Sequence, residues 1–134
     1  MTEIDSLKVL VVDDSSMICS RLAEAIQQVP GVEIVGEVYD GGEAMQAIQE
    51  IKPDVVILDI RLPGAMNGLS VLEEIKRMSP APSVIMLTNY PYLQYRMKAL
   101  SLGADYFFNK SNEFSNAVQV LTTLCEKRRG TQSV

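Results

Sequence analysis

At 134 residues the chain has the length of one ordinary domain and can bury most of its apolar surface. Hydrophobic residues make up 47% of it, yet no apolar run approaches the roughly 18 residues that span a bilayer, and the opening "MTEIDSLK" lacks a basic stretch followed by an apolar one. A net charge of −5, with the only basic cluster in "EKRRG" reading as a solvated helix end, argues against direct nucleic-acid binding; no membrane insertion and a cytoplasmic location are expected.

The absence of histidine removes histidine-based nucleophilic and zinc chemistry. Cys19 and Cys125 lie far apart without metal-ligand spacing, so buried reduced thiols are expected rather than a disulfide.

Five short aliphatic runs read as strands: "KVLVV" (8–12), "VEIVGEV" (32–38), "DVVILD" (54–59), "SVIMLT" (83–88) and "DYFFN" (105–109). Helical spacing falls between and after them. It joins Ile18, Leu22, Ile26 and Val29; then Ala44, Ala47, Ile48 and Ile51; then Leu69, Leu72 and Ile75. The last two sets are Leu93, Met97 and Leu100, and Phe114, Val118, Leu121 and Leu124. Turn residues in "QVPGV", "DGGE", "IKPD", "MSPAPS" and "SLGAD" separate the segments. Five βα units predict an α/β fold, a doubly wound five-stranded parallel sheet of flavodoxin-like (βα)5 type with helices on both faces.

The first and third runs are apolar throughout and belong in the middle of the sheet, whereas "VEIVGEV" alternates and suits an edge. Strand order 2-1-3-4-5 satisfies both conditions and puts the topological switch point between strands 1 and 3. Residues 1–134 read as a single domain with a core over about 7–127, and "GTQSV" reads as a disordered tail.

This order brings chemistry to one edge of the sheet. Asp13 and Asp14 end strand 1 and Asp59 ends strand 3, on neighbours about 5 Å apart. Three converging carboxylates repel by a few kcal/mol per pair, on the order expected for a surface-like dielectric, unless a cation offsets them. A hard divalent ion with oxygen ligands, Mg2+ above all, fits the set. Thr88 and Lys110 end strands 4 and 5 at the same edge. Mg2+ and Lys110 can neutralise phosphoryl oxygens, Thr88 can donate a hydrogen bond, and one carboxylate can attack phosphorus to give an acyl phosphate. Taken singly, a strand-end Asp is usually a cap, a strand-end Thr is β-favouring and a lone Lys is solvated; their joint placement carries the functional reading. Ser15 and Ser16 read as helix-capping residues.

At "VVDDS", "VVILDIRLPGAMNG", "VIMLTNY" and "GADYFFNKS", in that order, the chain resembles the receiver domain of bacterial two-component response regulators, of the stand-alone chemotaxis-regulator type. The resemblance spans about residues 7–127. It implies that Asp59 is the phosphoacceptor, that Asp13 and Asp14 form the acidic pair with Asp14 on Mg2+, and that the backbone carbonyl of Arg61 is a further metal ligand. Thr88 is then the switch hydroxyl and Lys110 the phosphate-binding lysine. The implied donor is a phosphohistidine on a sensor histidine kinase, and the implied output surface is the face of helix 4, strand 5 and helix 5, which meets a downstream protein target or, after phosphorylation, a second copy of the chain.

Four positions depart from the family pattern. "GAMN" lengthens the loop after Pro63 by one residue, Ser111 replaces the proline after Lys110, Phe107 is a switch aromatic without a hydroxyl, and Asn89 follows Thr88. The expected function is a phosphorylation-controlled switch that is not an enzyme, a receiver with self-catalysed phosphotransfer and slow self-dephosphorylation.

The rivals are an aspartyl-phosphate hydrolase, which needs a second acid where Arg61 stands; an FMN binder, whose phosphate would meet "DDSS"; and a degenerate receiver acting as a scaffold, against which the five-residue set speaks.

Overall fold

In the computed structural model, which describes residues 6–132, aliphatic runs and helical stripes alternate as the spacing predicts. The elements are β1 (Leu7–Val12), α1 (Ser16–Ile26), β2 (Val32–Val38), α2 (Gly41–Ile51), β3 (Val55–Leu58), α3 (Gly68–Lys76), β4 (Ser83–Thr88), α4 (Leu93–Ser101), β5 (Tyr106–Asn109) and α5 (Phe114–Gln132). All strand pairs are parallel and the order is β2-β1-β3-β4-β5, as expected.

Alternation along the strands sorts the core into two layers. Val9, Val11, Val55, Ile57, Ile85 and Leu87 pack against α1 and α5. Leu10, Val12, Val56, Leu58, Val84, Met86 and Phe107 pack on the opposite face, against α2, α3 and α4. β1, β3 and β4 are therefore covered on both sides, which is why their sequences carry almost no polar residue.

Helix starts follow their caps. Ser15, Asp40 and Asn67 accept hydrogen bonds from the N–H groups of Ile18 (3.3 Å), Glu43 (2.8 Å) and Ser70 (3.0 Å). Cys19 and Cys125 are buried free thiols.

Three expectations need correction. In α4 the stripe of Leu93, Met97 and Leu100 faces solvent at 66, 62 and 45% exposure, while Ala99 is fully buried and Tyr95 and Leu102 pack on the core. Two apolar stripes compete on this helix, and the sheet takes the one with the small residue at its centre, which lets the helix sit close. The "EKRRG" segment is not a purely solvated end, because Arg128 Nη1 pairs with Asp54 Oδ1 at 2.9 Å. Finally, α5 continues through Gly130, Thr131 and Gln132, since each residue added to an existing helix gains a hydrogen bond without a new nucleation cost; Ser133 and Val134 lie outside the described residues.

One glycine fixes the geometry beside β3. The Gly68 N–H donates to the Ile60 carbonyl at 2.7 Å, and a Cβ here would overlap the Asp59 carbonyl oxygen and lie 2.8 Å from Ile60 Cα. Gly68→Ala should therefore lower stability by about 3 kcal/mol, because the clash is with backbone that cannot rotate away. Gly42→Ala, whose Cβ would meet nothing closer than Asp40 Oδ1 at 3.5 Å, should instead be stabilising by roughly 0.5 kcal/mol. Denaturant midpoints of the two variants provide the check.

Candidate acidic site at the carboxyl edge of the sheet

β1 and β3 run in register with Val12 beside Leu58, and the Asp59 N–H donates to the Val12 carbonyl at 3.0 Å. The next residues of both strands, Asp13 and Asp59, therefore emerge side by side. Asp13 is 2% exposed, Asp59 4% and Lys110 5%, whereas Asp14 is exposed. Lys110 Nζ bridges the buried pair, 2.7 Å from Asp13 Oδ2 and 3.0 Å from Asp59 Oδ2.

The remaining carboxylate oxygens are also engaged. Asp13 Oδ1 accepts from the Ser15 N–H at 2.9 Å, and Asp59 Oδ1 from the Ile60 N–H at 2.8 Å. Asp13, Asp14 and Asp59 each offer an oxygen within 4.8 Å of the others'. At that separation each charge pair repels by about 3 kcal/mol for an effective dielectric near 20, and one ammonium cannot neutralise three carboxylates.

Burial raises the Asp13 carboxyl above its usual range, and the charge of Asp59 adds to this against the hydrogen bond from Lys110. Burial pulls Lys110 the other way, but its hydrogen bond to Asp13 and the charge of Asp59 prevail and hold its ammonium above the usual lysine value. The cluster thus keeps its positive charge and carries surplus negative charge, which an incoming cation would relieve.

Thr88 is fully buried at the end of β4, and its Oγ1 accepts from the Tyr90 N–H at 3.0 Å. The Lys110 N–H donates to the Thr88 carbonyl at 2.9 Å, so β4 and β5 deliver their residues to the same edge. Arg61 lays its guanidinium over the Tyr90 ring, 4.2 Å from the centroid. Cys19 Sγ lies 4.0 Å from the Asp13 carbonyl, and burial, with the Glu37 charge next, pushes its thiol up to about 11. That thiol is inert near neutral pH.

The structure thus brings Asp13, Asp14, Asp59 and Lys110 together, with Thr88 on the adjoining strand and Arg61 at the rim. The connection after Lys110 was missed by sequence reasoning: Glu113 Oε1 accepts from the Asn109 N–H at 2.9 Å. Its signal was a carboxylate immediately before the last helical stripe. The one cis peptide among the described residues is Ser79–Pro80, so Lys110–Ser111 is trans.

The response regulator receiver domain family matches residues 9–122. The chain belongs to that family. A protein-glutamate methylesterase/protein-glutamine glutaminase from Desulfotalea psychrophila is 38% identical over 110 residues, which cover 81% of this chain and 30% of that protein. The chain therefore spans about 30% of the length of this relative. Among solved structures, the response regulator domain of Thermotoga maritima CheB superposes with a TM-score of 0.75 at 34% identity, covering 96% of this chain and 98% of that one. The CheX–CheY–BeF3–Mg2+ complex from Borrelia burgdorferi gives 0.78 at 28% identity, with 88% of each chain covered.

The receiver is a phosphorylation-dependent switch on this membership. The expectation that the chain is not an enzyme is corrected, because its curated relatives are named as methylesterases and glutaminases, although the match is confined to about a third of each or less. The expectation followed from the resemblance to a signalling receiver, which concerns these 134 residues alone, whereas the relatives named as enzymes extend well beyond the matched part. Among the described residues no helix is long and apolar enough to cross a membrane.

The charge surplus makes a measurable claim. A carboxyl with a raised folded-state pKa binds its proton more tightly in the native state, so its contribution to stability falls as pH rises from the ordinary value of 3.8 through the raised one. Asp13→Asn should accordingly stabilise the metal-free protein by about 1 kcal/mol near neutral pH, with Lys110 still paired to Asp59, and the gain should shrink as pH falls toward 4. Thermal melts in chelator across that range test it.

Proposed function

We propose that Asp59 accepts a phosphoryl group from a phosphohistidine of a sensor histidine kinase, and that the resulting acyl phosphate switches the fold between two packings. The observation that carries this reading is the buried Asp59 carboxylate 3.0 Å from Lys110 Nζ, beside two further acids at the switch point of the sheet. An Asp59 oxygen forms the new O–P bond as the P–N bond to imidazole breaks. The electron pair returns to the ring nitrogen, which takes up a proton from water.

Lys110 passes from the Asp59 carboxylate to the phosphoryl oxygens, whose charge it offsets in a water-poor pocket. The Thr88 hydroxyl exchanges its contact with the Tyr90 N–H for a donated hydrogen bond to the phosphoryl group. Asp13, Asp14, Asp59 and the Arg61 carbonyl fit Mg2+, an all-oxygen donor set around uncompensated negative charge. When bound, Mg2+ supplies positive charge that balances the acids and the phosphoryl oxygens. Residues 1–134 form one receiver domain in this reading, working in the cytoplasm.

The output leaves by the face of α4, β5 and α5. Tyr92, Leu93, Met97 and Leu100 are exposed there, the residue types that partner proteins cover. The names of the curated relatives suggest a methylesterase/glutaminase module as the target, and a phosphorylated second copy is the alternative occupant.

Intact-mass measurement with acetyl phosphate and Mg2+ should show one added phosphoryl group on the wild type, none on Asp59→Asn, and little on the wild type in chelator. Labelling of Asp59→Asn at another residue sinks the assignment. Beryllofluoride, which mimics the acyl phosphate, should shift amide resonances in α4 and β5 as well as around Asp59. Changes confined to the loops beside Asp59 would rule out the switch.

A further inference from the structure

Lys110 opens a four-residue connection between β5 and α5, yet its ammonium is held within 3.0 Å of two carboxylates. We propose that Glu113 is the positioning residue for Lys110, acting through Asn109 at the end of β5. The proposal rests on the reading of Lys110 as the phosphoryl-oxygen partner.

β5 is an edge strand. The Lys110 N–H points inward to the Thr88 carbonyl, so by alternation the Asn109 N–H points out toward the open edge, where no strand can receive it. Glu113 Oε1 takes the place of that strand at 2.9 Å, and the Glu113 N–H returns a bond to the Asn109 carbonyl at 2.8 Å. Asn109 Oδ1 accepts from the Ser111 N–H at 2.8 Å, a bond that needs a donor at position 111 and that proline could not make. Lys110 is thus enclosed by a closed set of hydrogen bonds on both sides of its own backbone.

The direction of the Glu113 side chain is informative. Ser15, Asp40 and Asn67, in the corresponding positions before α1, α2 and α3, bond forward to the N–H three residues on. Glu113, directly before α5, bonds backward instead, and its backbone carbonyl alone accepts from Asn116 (3.0 Å) and Ala117 (3.3 Å). The side chain that could cap this helix is used to fix the connection that carries Lys110. Because an error of about 1 Å in a group touching the transferring phosphoryl can cost up to a hundredfold in rate, this restraint should be visible in kinetics.

The test is Asp59 phosphorylation by acetyl phosphate, with the maximal rate and Mg2+ affinity measured separately on the full chain. Glu113→Ala should lower the maximal rate about tenfold while Mg2+ affinity stays within about twofold, since Asp13, Asp14 and Asp59 are untouched. Glu113→Gln keeps the accepting Oε1 and should restore the rate to within about twofold of wild type. Glu113→Asp is one methylene too short to reach Asn109 and should behave like the alanine variant, which keeps the test decisive if Glu113→Ala does not fold. An unchanged maximal rate in the alanine or aspartate variant, with Asp59-dependent labelling normal in wild type, overturns the positioning role alone. An equal loss in Glu113→Gln overturns it too, because charge and not the hydrogen bond would then be responsible. Wild-type labelling that is absent, or that survives Asp59→Asn, overturns the reading of the site itself.

Discussion

Two carboxylates and one ammonium, all at most 5% exposed, meet at the carboxyl edge of the sheet, and the architecture is arranged around keeping them there. A buried cluster of this kind is a poor source of stability, because desolvating each ion costs several kcal/mol, on the order of what the pairing returns. Its persistence is intelligible only with parallel strands. An antiparallel partner would carry its carboxylate to the far end of the sheet, whereas right-handed crossovers return β1, β3, β4 and β5 in the same direction and deposit Asp13, Asp59, Thr88 and Lys110 on one edge. The order β2-β1-β3-β4-β5 then makes the two acids direct neighbours.

The cluster needs a rigid foundation, and the two core layers supply it. Val11, Ile57 and Leu87 on one face and Val12, Leu58 and Met86 on the other are at most 2% exposed, so the last turns of backbone before the acids cannot shift without opening packed volume. The close approach of Gly68 to the Asp59 carbonyl adds a backbone-to-backbone stop on the far side. Polar side chains are therefore presented from strand ends, and the mobility needed for a switch is left to the connections beyond them.

Most of this was legible in the sequence. Apolar runs of four to seven residues separated by helical stripes fix the layers and the order, and the acids, Thr88 and Lys110 all fall at or within two residues of strand ends, where the register leaves little freedom. What escaped was decided by competition between surfaces. On α4, Leu93, Met97 and Leu100 look more like core than Tyr95, Ala99 and Leu102 by hydrophobicity, but the close fit around Ala99 selects the second set. Arg128 looked solvated because Asp54, its partner, lies more than seventy residues earlier in the chain. Glu113 shows in the sequence only as a carboxylate immediately before the last helical stripe, and its partner emerges once the edge position of β5 leaves the Asn109 N–H without a strand.

The misread stripe on α4 bears directly on how a local event at Thr88 reaches a surface. α4 buries a single residue, Ala99, where α1 buries four, so it is the helix whose displacement disturbs the least packing. Its N-terminus is linked to the site by a short relay. The Thr88 Oγ1 holds the Tyr90 N–H, Tyr90 is stacked under the Arg61 guanidinium, and ring contacts continue from Tyr90 to Tyr92 at 6.5 Å and from Tyr92 to Tyr95 at 5.8 Å. In the proposed mechanism the Thr88 side chain turns to donate to a phosphoryl oxygen and gives up its bond from the Tyr90 N–H. Release of that bond frees the segment that carries Tyr92 and Leu93, which is also where the apolar face begins. On the neighbouring strand Phe107 is already 4% exposed, with Arg96 donating to its carbonyl at 3.3 Å. The inward space is therefore filled by the ring itself, and the energy that separates two packings must lie mainly in the ten residues 88–97, which run from the Thr88 hydroxyl through Tyr90, under the Arg61 guanidinium, to the exposed helix face.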